Sequence, residues 1–163
     1  MKMQDWLNGA RQRFDFENWP RPSEKNARIR VMKLSLDPRQ MDENWRLEER
    51  LPWGGKGYAD YFQSTKNARH RIMVRISEYR THDEARQALL KEISFSSAVT
   101  LPRLDERGIM IGDVGFTGHG DVSTGLLFVR YNILVDVRSV GEESLSVEEF
   151  ARLIDDYITG AEL

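Results

Sequence analysis

The stretch 112–125 holds most of the residue types in this chain that could carry out chemistry. Its sequence is GDVGFTGHGDVSTG, with five glycines, two aspartates and one histidine. Asp113, His119 and Asp121 have side chains of the kinds that bind metal ions, small ligands or protons. They are therefore the candidate ligand-binding residues. Ser123 adds a hydroxyl of the kind that a neighbouring histidine activates in hydrolases.

The motifs that normally place such side chains for catalysis are incomplete. A P-loop requires G-x-x-x-x-G-K-[ST], but 112–125 has no lysine and GGKG at 54–57 has no hydroxyl residue after its lysine. The nucleophile elbow G-x-S-x-G would need a glycine where this chain has Asp121. The three histidines form no H-E-x-x-H or other paired zinc motif. We therefore expect no catalytic residue, no cofactor and no metal; an enzyme or small-ligand binder that uses 112–125 is the alternative.

Aromatic side chains are dense in the first third of the chain and indicate a different function. Trp6, Trp19, Trp53 and Tyr58 are the candidate partner-binding residues, because tryptophan and tyrosine contribute strongly to binding at protein interfaces. Core packing is the alternative explanation for the same four residues. We expect a non-catalytic module that binds a partner protein.

Basic residues between 66 and 75 raise the question of nucleic-acid binding. Lys66, Arg69, His70, Arg71 and Arg75 follow closely on Tyr61 and Phe62, and a basic sheet face with aromatic neighbours can bind single strands. The net charge is −2 and the pI is near 6.0, however, so the whole chain does not attract polyanions. We expect no nucleic-acid partner.

Length and composition are those of an ordinary folded domain. The chain has 163 residues, of which 40% are hydrophobic and 31% charged; this size fits one domain. It has no cysteine, which excludes disulfides and thiolate metal sites. No apolar run approaches a membrane span, so no transmembrane segment is expected. As written, the sequence indicates a cytoplasmic protein; it would be extracytoplasmic if a native signal or lipid anchor had been removed.

The N-terminal segment is predicted to be separate from the domain. Asp5 can cap a short helix, in which Trp6, Leu7, Ala10 and Phe14 recur on one face. Two prolines follow within 18–26, a composition typical of a linker. Residues 1–26 are thus predicted to form a helical arm and linker, and residues 27–163 a single domain. We would expect such a domain to remain folded without residues 1–20.

The domain begins with less regular patterns and then becomes clearer. We predict a strand over 28–36, a short helix from Asp37 to about Arg50, a turn over 51–57 and a strand over 58–65. The alternation of Ile72, Val74 and Ile76 with polar residues predicts a half-buried strand. Thr81 and Glu84 then form a capping box that opens a helix.

Residues 108–116 are predicted to form the next strand. Residues 126–140 are strand-forming throughout, and Tyr131-Asn132 predicts a hairpin turn at their centre because asparagine tolerates positive φ. Ser146 and Glu149 predict a second capping box. The helix after it should bury its apolar residues, which are Val147, Phe150, Ala151, Ile154 and Ile158.

These elements predict an α+β fold, in which an antiparallel sheet has helices packed on one face. A strand followed by a capped helix occurs twice, once from RIMVRISEY at 71–79 and once from ILVDVRSV at 133–140. The repetition suggests an internal strand-helix duplication.

Two blocks of the second half resemble poorly characterised bacterial cell-envelope and lipoprotein domains. One is the strand-helix stretch VRISEYRTHDEARQALLKEI, and the other is a Gly-Asp-x-x-aromatic strand that precedes a hairpin with asparagine in its turn. The matching positions are Gly112, Asp113, Phe116, Arg130, Asn132 and Val135. Tyr131 departs from the pattern, which often has glycine there. The resemblance covers about residues 70–158; it implies no catalytic residues and a non-enzymatic, extracytoplasmic module, whose partner would be a protein or another component of the cell envelope.

Overall fold

The computed structural model of the chain describes residues 2–21, 28–31, 34, 43–54, 56–96 and 100–161. Within these ranges it has three α-helices and six strands. The helices are α1 (Met3–Arg13), α2 (His82–Ser94) and α3 (Glu148–Thr159). The strands are β1 (Trp45–Pro52), β2 (Gly57–Ser64), β3 (Arg71–Glu78), β4 (Val114–Thr117), β5 (Gly125–Arg130) and β6 (Ile133–Ser139).

All six strands belong to one antiparallel sheet in the order β1-β2-β3-β6-β5-β4. Short connections join β1 to β2, β2 to β3, β4 to β5 and β5 to β6, as antiparallel neighbours allow. The two three-stranded halves meet at the centre, where β3 pairs with β6 from Ile72↔Ser139 to Glu78↔Ile133. The predicted α+β fold with an antiparallel sheet is confirmed.

The helices lie on both faces of this sheet rather than on one. Successive residues of β6 point to opposite faces: Val135 and Val137 belong to the core that includes α3, and Leu134 belongs to the core that includes α2. We call these the α3 face and the α2 face. Strands β5 and β6 bury apolar side chains on both faces, Phe128 and Val135 on one and Val129 and Leu134 on the other, so one layer of helices could not have covered them.

The predicted duplication is present in the connectivity. Two β-β-β-α units, β1–β2–β3–α2 and β4–β5–β6–α3, follow each other along the chain. If a two-fold axis perpendicular to the sheet, between β3 and β6, related the two units, both helices would lie on the same face. Since α2 and α3 lie on opposite faces, the repeated connectivity does not give a two-fold symmetric structure.

The N-terminal segment packs as a layer over the α2 face. Its helix is confirmed over Met3–Arg13. Ala10, Phe14, Phe16 and Trp19 are buried in one cluster with Phe116 of β4 and with apolar side chains of α2. All three aromatic residues that follow α1, Phe14, Phe16 and Trp19, belong to this cluster, so they form part of a core.

Two predictions for the first half are corrected. Residues 28–31 and 34 are not in a strand; instead Ile29, Val31 and Leu34 cover the α3 face as buried irregular chain. Residues 45–50 of the predicted helix lie in β1, where Trp45 and Leu47 pack against the core. Residues 37–42 of that helix lie outside the described residues. Pairing with β2 and burial of these two side chains outweigh the weak helical spacing.

The predictions for later elements hold more closely. The turn over 51–57 and the strand at 58–65 correspond to the β1–β2 connection and β2. The predicted half-buried strand is β3. Thr81 Oγ1 accepts a hydrogen bond of 3.1 Å from Glu84 N at the start of α2. The strand predicted over 108–116 is observed only over Val114–Thr117, as β4.

For α3, only the predicted N-cap residue is wrong. Val147, not Ser146, is the N-cap, and Ser146 Oγ accepts a hydrogen bond from Glu148 N at 3.3 Å. The five apolar residues predicted to be inside are all buried, because they recur at helical spacing on the side of α3 that meets the sheet.

The predicted hairpin joins β5 to β6 at Tyr131-Asn132. Tyr131, with φ of 56°, is the residue in the left-handed region, so positive φ was assigned to the wrong residue of the pair. Asn132 is fully buried. Its side chain accepts a hydrogen bond from Ile29 N at 2.7 Å and donates to Ile29 O and Tyr79 O. Asparagine is needed here for its amide, which ties the irregular segment at residue 29 to the sheet.

Candidate functional site

The structure does not bring Asp113, His119 and Asp121 together. Asp113 lies just before β4, whereas the other two follow β4. Four strand residues span about 13 Å, so Asp113 is at the opposite end of the strand. Asp121 is exposed. His119 lines a cavity of about 350 Å³ near the end of α1, and its Nε2 lies 2.6 Å from Thr100 O.

Asp113 belongs instead to a buried charged cluster that joins four elements. Its Oδ2 accepts a hydrogen bond of 2.8 Å from Tyr131 N, and its Oδ1 accepts one of 3.1 Å from Arg130 Nη1. Arg130 also donates two hydrogen bonds, of 2.6 and 2.7 Å, to the carboxylate of Asp155 on α3. His82 Nδ1, at the start of α2, lies 2.6 Å from Tyr131 O.

This cluster holds the β5–β6 turn in place. Asp155 Oδ2 also accepts a hydrogen bond of 2.9 Å from Gly112 N. The hydrogen bond to Asp155 is the largest cause of the raised pKa of Arg130. Arg130 and Asp113 appear in the sequence resemblance, but nothing in the local pattern around Asp155 or His82 indicates that they meet. Asp155 and His82 are too far from Asp113 and Arg130 in sequence for one motif to contain them all.

The glycine-rich loop itself is held by hydrogen bonds at both ends. Arg107 donates to Gly120 O at 2.9 Å and to His119 O at 3.1 Å. Thr117 Oγ1 donates to Gly125 O at 2.9 Å. Ser123 O accepts from Val147 N at 2.9 Å, and Ser123 is buried. Ser123 therefore packs inside the fold, where it is unsuited to act as an open nucleophile.

A cavity of about 430 Å³ opens on the α2 face beside this loop. Phe116 and Leu127 supply apolar walls, and Gly118 and Gly120 supply main chain without side chains. Asp136 and Arg138 of β6 also line the cavity. The cavity thus combines an apolar surface, bare backbone and two opposite charges.

Asp136 is a buried carboxylate near the centre of the sheet. Its Oδ1 accepts a hydrogen bond of 2.9 Å from Arg138 Nε. Arg75 Nη2 lies 3.1 Å from Oδ2, but it is outside hydrogen-bonding geometry, and Oδ2 has no hydrogen-bond partner among the described residues. Burial raises the pKa of the Asp136 carboxyl, and the hydrogen bond from Arg138 opposes that shift without cancelling it.

Asp136→Asn is expected to change how stability depends on pH. Burial raises the pKa of Asp136 in the folded protein above its ordinary value of 3.8, so the folded protein binds this proton more tightly than the unfolded chain does. As pH rises through that range, Asp136 ionises and the free energy of unfolding falls. The wild type should therefore gain free energy of unfolding relative to Asp136→Asn when pH falls from about 7 to about 4. Urea unfolding at both pH values measures this difference.

The exposed Asp121→Asn variant is the control for the pH experiment. It removes one carboxylate from the exposed surface of the neighbouring loop, and so measures what the loss of a surface charge alone does to stability at the two pH values. A difference between wild type and Asp136→Asn that stays constant with pH, or that grows as pH rises, would contradict the assigned direction of the pKa shift.

The four aromatic candidates have different environments. Trp19 and Tyr58 are buried, so neither can contact a partner in this conformation. Tyr58 Oη donates a hydrogen bond of 2.8 Å to Leu34 O, and burial raises the pKa of Tyr58. Trp6 is half-buried and stacks edge-on against Phe95, with ring centroids 4.6 Å apart. Trp53 is 48% exposed, and it is the candidate best placed for an intermolecular contact.

Trp53 lies on a part of the α2 face that no described helix covers. Helix α2 packs over β5 and β6 and reaches β3 through the contact of Glu92 with Arg75; no helix of the described residues lies over β1 and β2 on that face. We define the open sheet surface by Leu51, Trp53, Tyr61, Met73 and Arg75, which the pairing register places on the same side of the sheet. Sequence patterning could not identify this surface, because which face a helix covers depends on the tertiary fold.

Two arginines have acidic neighbours: Arg75, which belongs to the open sheet surface, and Arg71, which lies beside it on β3. Arg71 Nη2 lies 3.2 Å from Glu48 Oε2, and Arg75 Nη2 lies 3.3 Å from Glu92 Oε1. The surface consequently carries charges of both signs around its apolar side chains.

The outer edge of β1 is less suited to binding than the face. The strand is mostly exposed, but its pairing with β2 is interrupted between Leu47 and Glu49. Charged side chains dominate its length and Pro52 ends it. A register shift, charges and proline all oppose addition of another strand. At the opposite edge, Arg103 forms a bridge with Phe116 of β4.

Two further properties hold for the part of the chain that the structure describes. No three histidine, aspartate or glutamate side chains there come together in a way that could hold a metal ion. No helix in those ranges combines the length and the apolar character needed to cross a membrane.

Comparison with known proteins identifies no family for this chain. No family model matches the chain, and no curated protein or solved structure is significantly similar to it. The geometry of the open sheet surface and of the cavity is therefore the basis for any function assigned to the molecule.

Proposed function

We propose that this chain is a non-catalytic binding module whose partner is a protein, and that the partner contacts the open sheet surface. The observation that carries the proposal is the exposure of Trp53 on a rigid support. Its main-chain N donates a hydrogen bond of 3.0 Å to Gly57 O. The Arg75 guanidinium carbon lies 4.6 Å from the centroid of its ring. An exposed tryptophan that is already ordered loses little conformational freedom on binding.

The apolar side chains around Trp53 extend this anchor. Leu51 is 41% exposed on the adjacent strand end, and Tyr61 and Met73 are half-buried on β2 and β3. Apolar residues at the centre and charged residues around them are typical of protein interfaces. The charges of both signs favour a partner that itself carries mixed charge.

The size of the surface favours one segment of a partner rather than a whole domain. Three strands of eight residues cover about 27 by 14 Å, or on the order of 380 Å². A standard interface buries about 800 Å² on each side. The open sheet surface therefore suits a single helix or extended segment of the partner.

The buried charges support binding rather than catalysis. Asp113 and Asp155 accept hydrogen bonds from main-chain N–H groups and from Arg130, which explains them as supports of the fold. The resemblance over residues 70–158 is the reason for proposing that the partner is a component of the cell envelope.

Site-specific crosslinking tests the proposal in two steps. A photo-crosslinking amino acid is placed at Trp53 or, as the control, at Met110, which is 76% exposed outside the open sheet surface. Crosslinking in the cells that make the protein, followed by mass spectrometry, should identify a partner only for position 53. That partner is then purified for affinity measurements.

Trp53→Ala should weaken binding of the purified partner by about 30-fold, because anchors of this type contribute about 2 kcal/mol or more. Met110→Ala should leave the affinity within about twofold. Isothermal titration calorimetry measures both, and circular dichroism checks that both variants are folded. Equal affinities would contradict the proposal, as would crosslinks at position 53 that join only copies of this chain.

A further inference from the structure

We propose that the cavity beside the glycine-rich loop binds a neutral, polyhydroxylated ligand the size of one or two sugar rings. The cavity is lined by residues of β4, β5 and β6 and of the loop, and none of them belongs to the open sheet surface. The proposal therefore stands independently of the protein partner.

The size and walls of the cavity suit a small molecule. Its volume of about 430 Å³ is within the roughly 300–1,000 Å³ usual for ligand sites. Phe116 and Leu127 offer apolar surface to the carbon face of a ring. The wall formed by Gly118 and Gly120 has no side chains, so a ligand can approach the main chain closely.

The loop also offers hydrogen-bond donors. The main-chain N–H groups of residues 119–122 donate no hydrogen bond to any other described residue. Gly120 and Val122 of this run line the cavity. Donors on the loop and on Arg138 of β6 together match a ligand that carries several hydroxyl groups.

The two charged residues that line the cavity favour a neutral ligand. Arg138 and Asp136 both line it, and Arg138 Nε donates a hydrogen bond of 2.9 Å to Asp136 Oδ1. One positive and one negative group leave little net charge. An ammonium group would meet Arg138, and a carboxylate or phosphate would approach the negative charge of Asp136.

A hydroxyl group can use the polar side chain that remains open in the cavity. The Asp136 carboxylate is buried, whereas the side chain of Arg138 is 52% exposed. A ligand hydroxyl can accept a hydrogen bond from the Arg138 guanidinium. A polyol does so without bringing a charge into the site.

Titration with defined probes tests this assignment. N-acetylglucosamine and maltose are added to the full-length protein labelled with ¹⁵N, and sodium acetate and putrescine serve as the anionic and cationic controls. We expect at least one sugar to cause saturable shifts of amide signals in residues 118–125 and in β6. The two charged probes should cause none.

Matched variants locate the binding. Arg138→Met should weaken sugar binding at least tenfold, whereas Asp121→Asn, on the same loop, and Trp53→Ala should leave it unchanged. Arg138 is half-exposed, so the Arg138→Met variant is expected to fold. The proposal is overturned if neither sugar gives saturable shifts, if acetate or putrescine binds as well, or if Arg138→Met binds sugar like the wild type.

Discussion

Replacing Trp19 by alanine is expected to lower the free energy of unfolding by about 4 kcal/mol, the usual cost of removing a large buried aromatic side chain. Trp19 is 2% exposed. Its ring centroid lies 4.8 Å from that of Phe16 and 5.3 Å from that of Phe116, and its Nε1 donates to Phe14 O at 2.8 Å. Alanine would leave a cavity between the N-terminal segment and β4. Urea denaturation followed by circular dichroism measures the loss.

Trp6→Ala is the matched control for Trp19→Ala. Trp6 is half-buried at the other end of the segment and contacts Phe95, which is itself exposed. Its replacement should cost about 1 kcal/mol or less. If Trp19→Ala were no more destabilising than Trp6→Ala, the N-terminal segment would be a loosely attached arm after all.

The same contacts change what is expected of a truncation. A detachable arm would allow residues 1–20 to be removed from a folded domain. Their removal would instead expose Val114 and Phe116 of β4 together with Leu89 and Ile93 of α2. Exposing this much of a core leads us to expect a destabilised and aggregation-prone product.

Replacing Asp155 by alanine is expected to cost about 3 kcal/mol, near the lower end of the cost of breaking a buried ion pair. The change leaves Gly112 N–H without its acceptor and leaves Arg130, whose side chain is only 19% exposed, with Asp113 as its remaining partner. That second partner is why the expected loss is not larger. Urea unfolding at neutral pH measures it.

Two variants separate the causes of this loss. Asp156→Ala alters the next residue, which is exposed, and should change stability by less than about 0.5 kcal/mol. Asp155→Asn keeps an acceptor for Gly112 N but removes the charge that faces Arg130, so its cost should be intermediate. Equal stability of the Asp155→Ala and Asp156→Ala variants would show that the cluster does not support the fold.

Local patterns were sufficient wherever neighbouring residues determine the conformation. The alternation in β3, the Thr81 cap of α2 and the apolar face of α3 each depend on residues within a few positions. The β5–β6 hairpin follows equally from two apolar runs on either side of Tyr131-Asn132. These elements are enough to predict an antiparallel sheet and an α+β fold.

The same patterns were insufficient where partners are distant. β1 is mostly exposed and highly charged, so its strand conformation depends on pairing with β2 and on the packing of Trp45 and Leu47 against the core. The burial of Trp19 and the exposure of Trp53 could not be distinguished, because hydrophobicity indicates that a side chain can be buried but not which surface will cover it.

The candidate sites show the same division. The sequence was enough to identify the glycine-rich loop and to show that its motifs are incomplete, because motif spacing is local. Long-range folding separates Asp113 from His119 by the length of β4 and places Asp136 and Arg138 beside the loop. It also places α2 over β5 and β6, so that no helix of the described residues covers β1 and β2 on that face. Such choices depend on contacts between residues far apart in the chain, which no short stretch of sequence encodes.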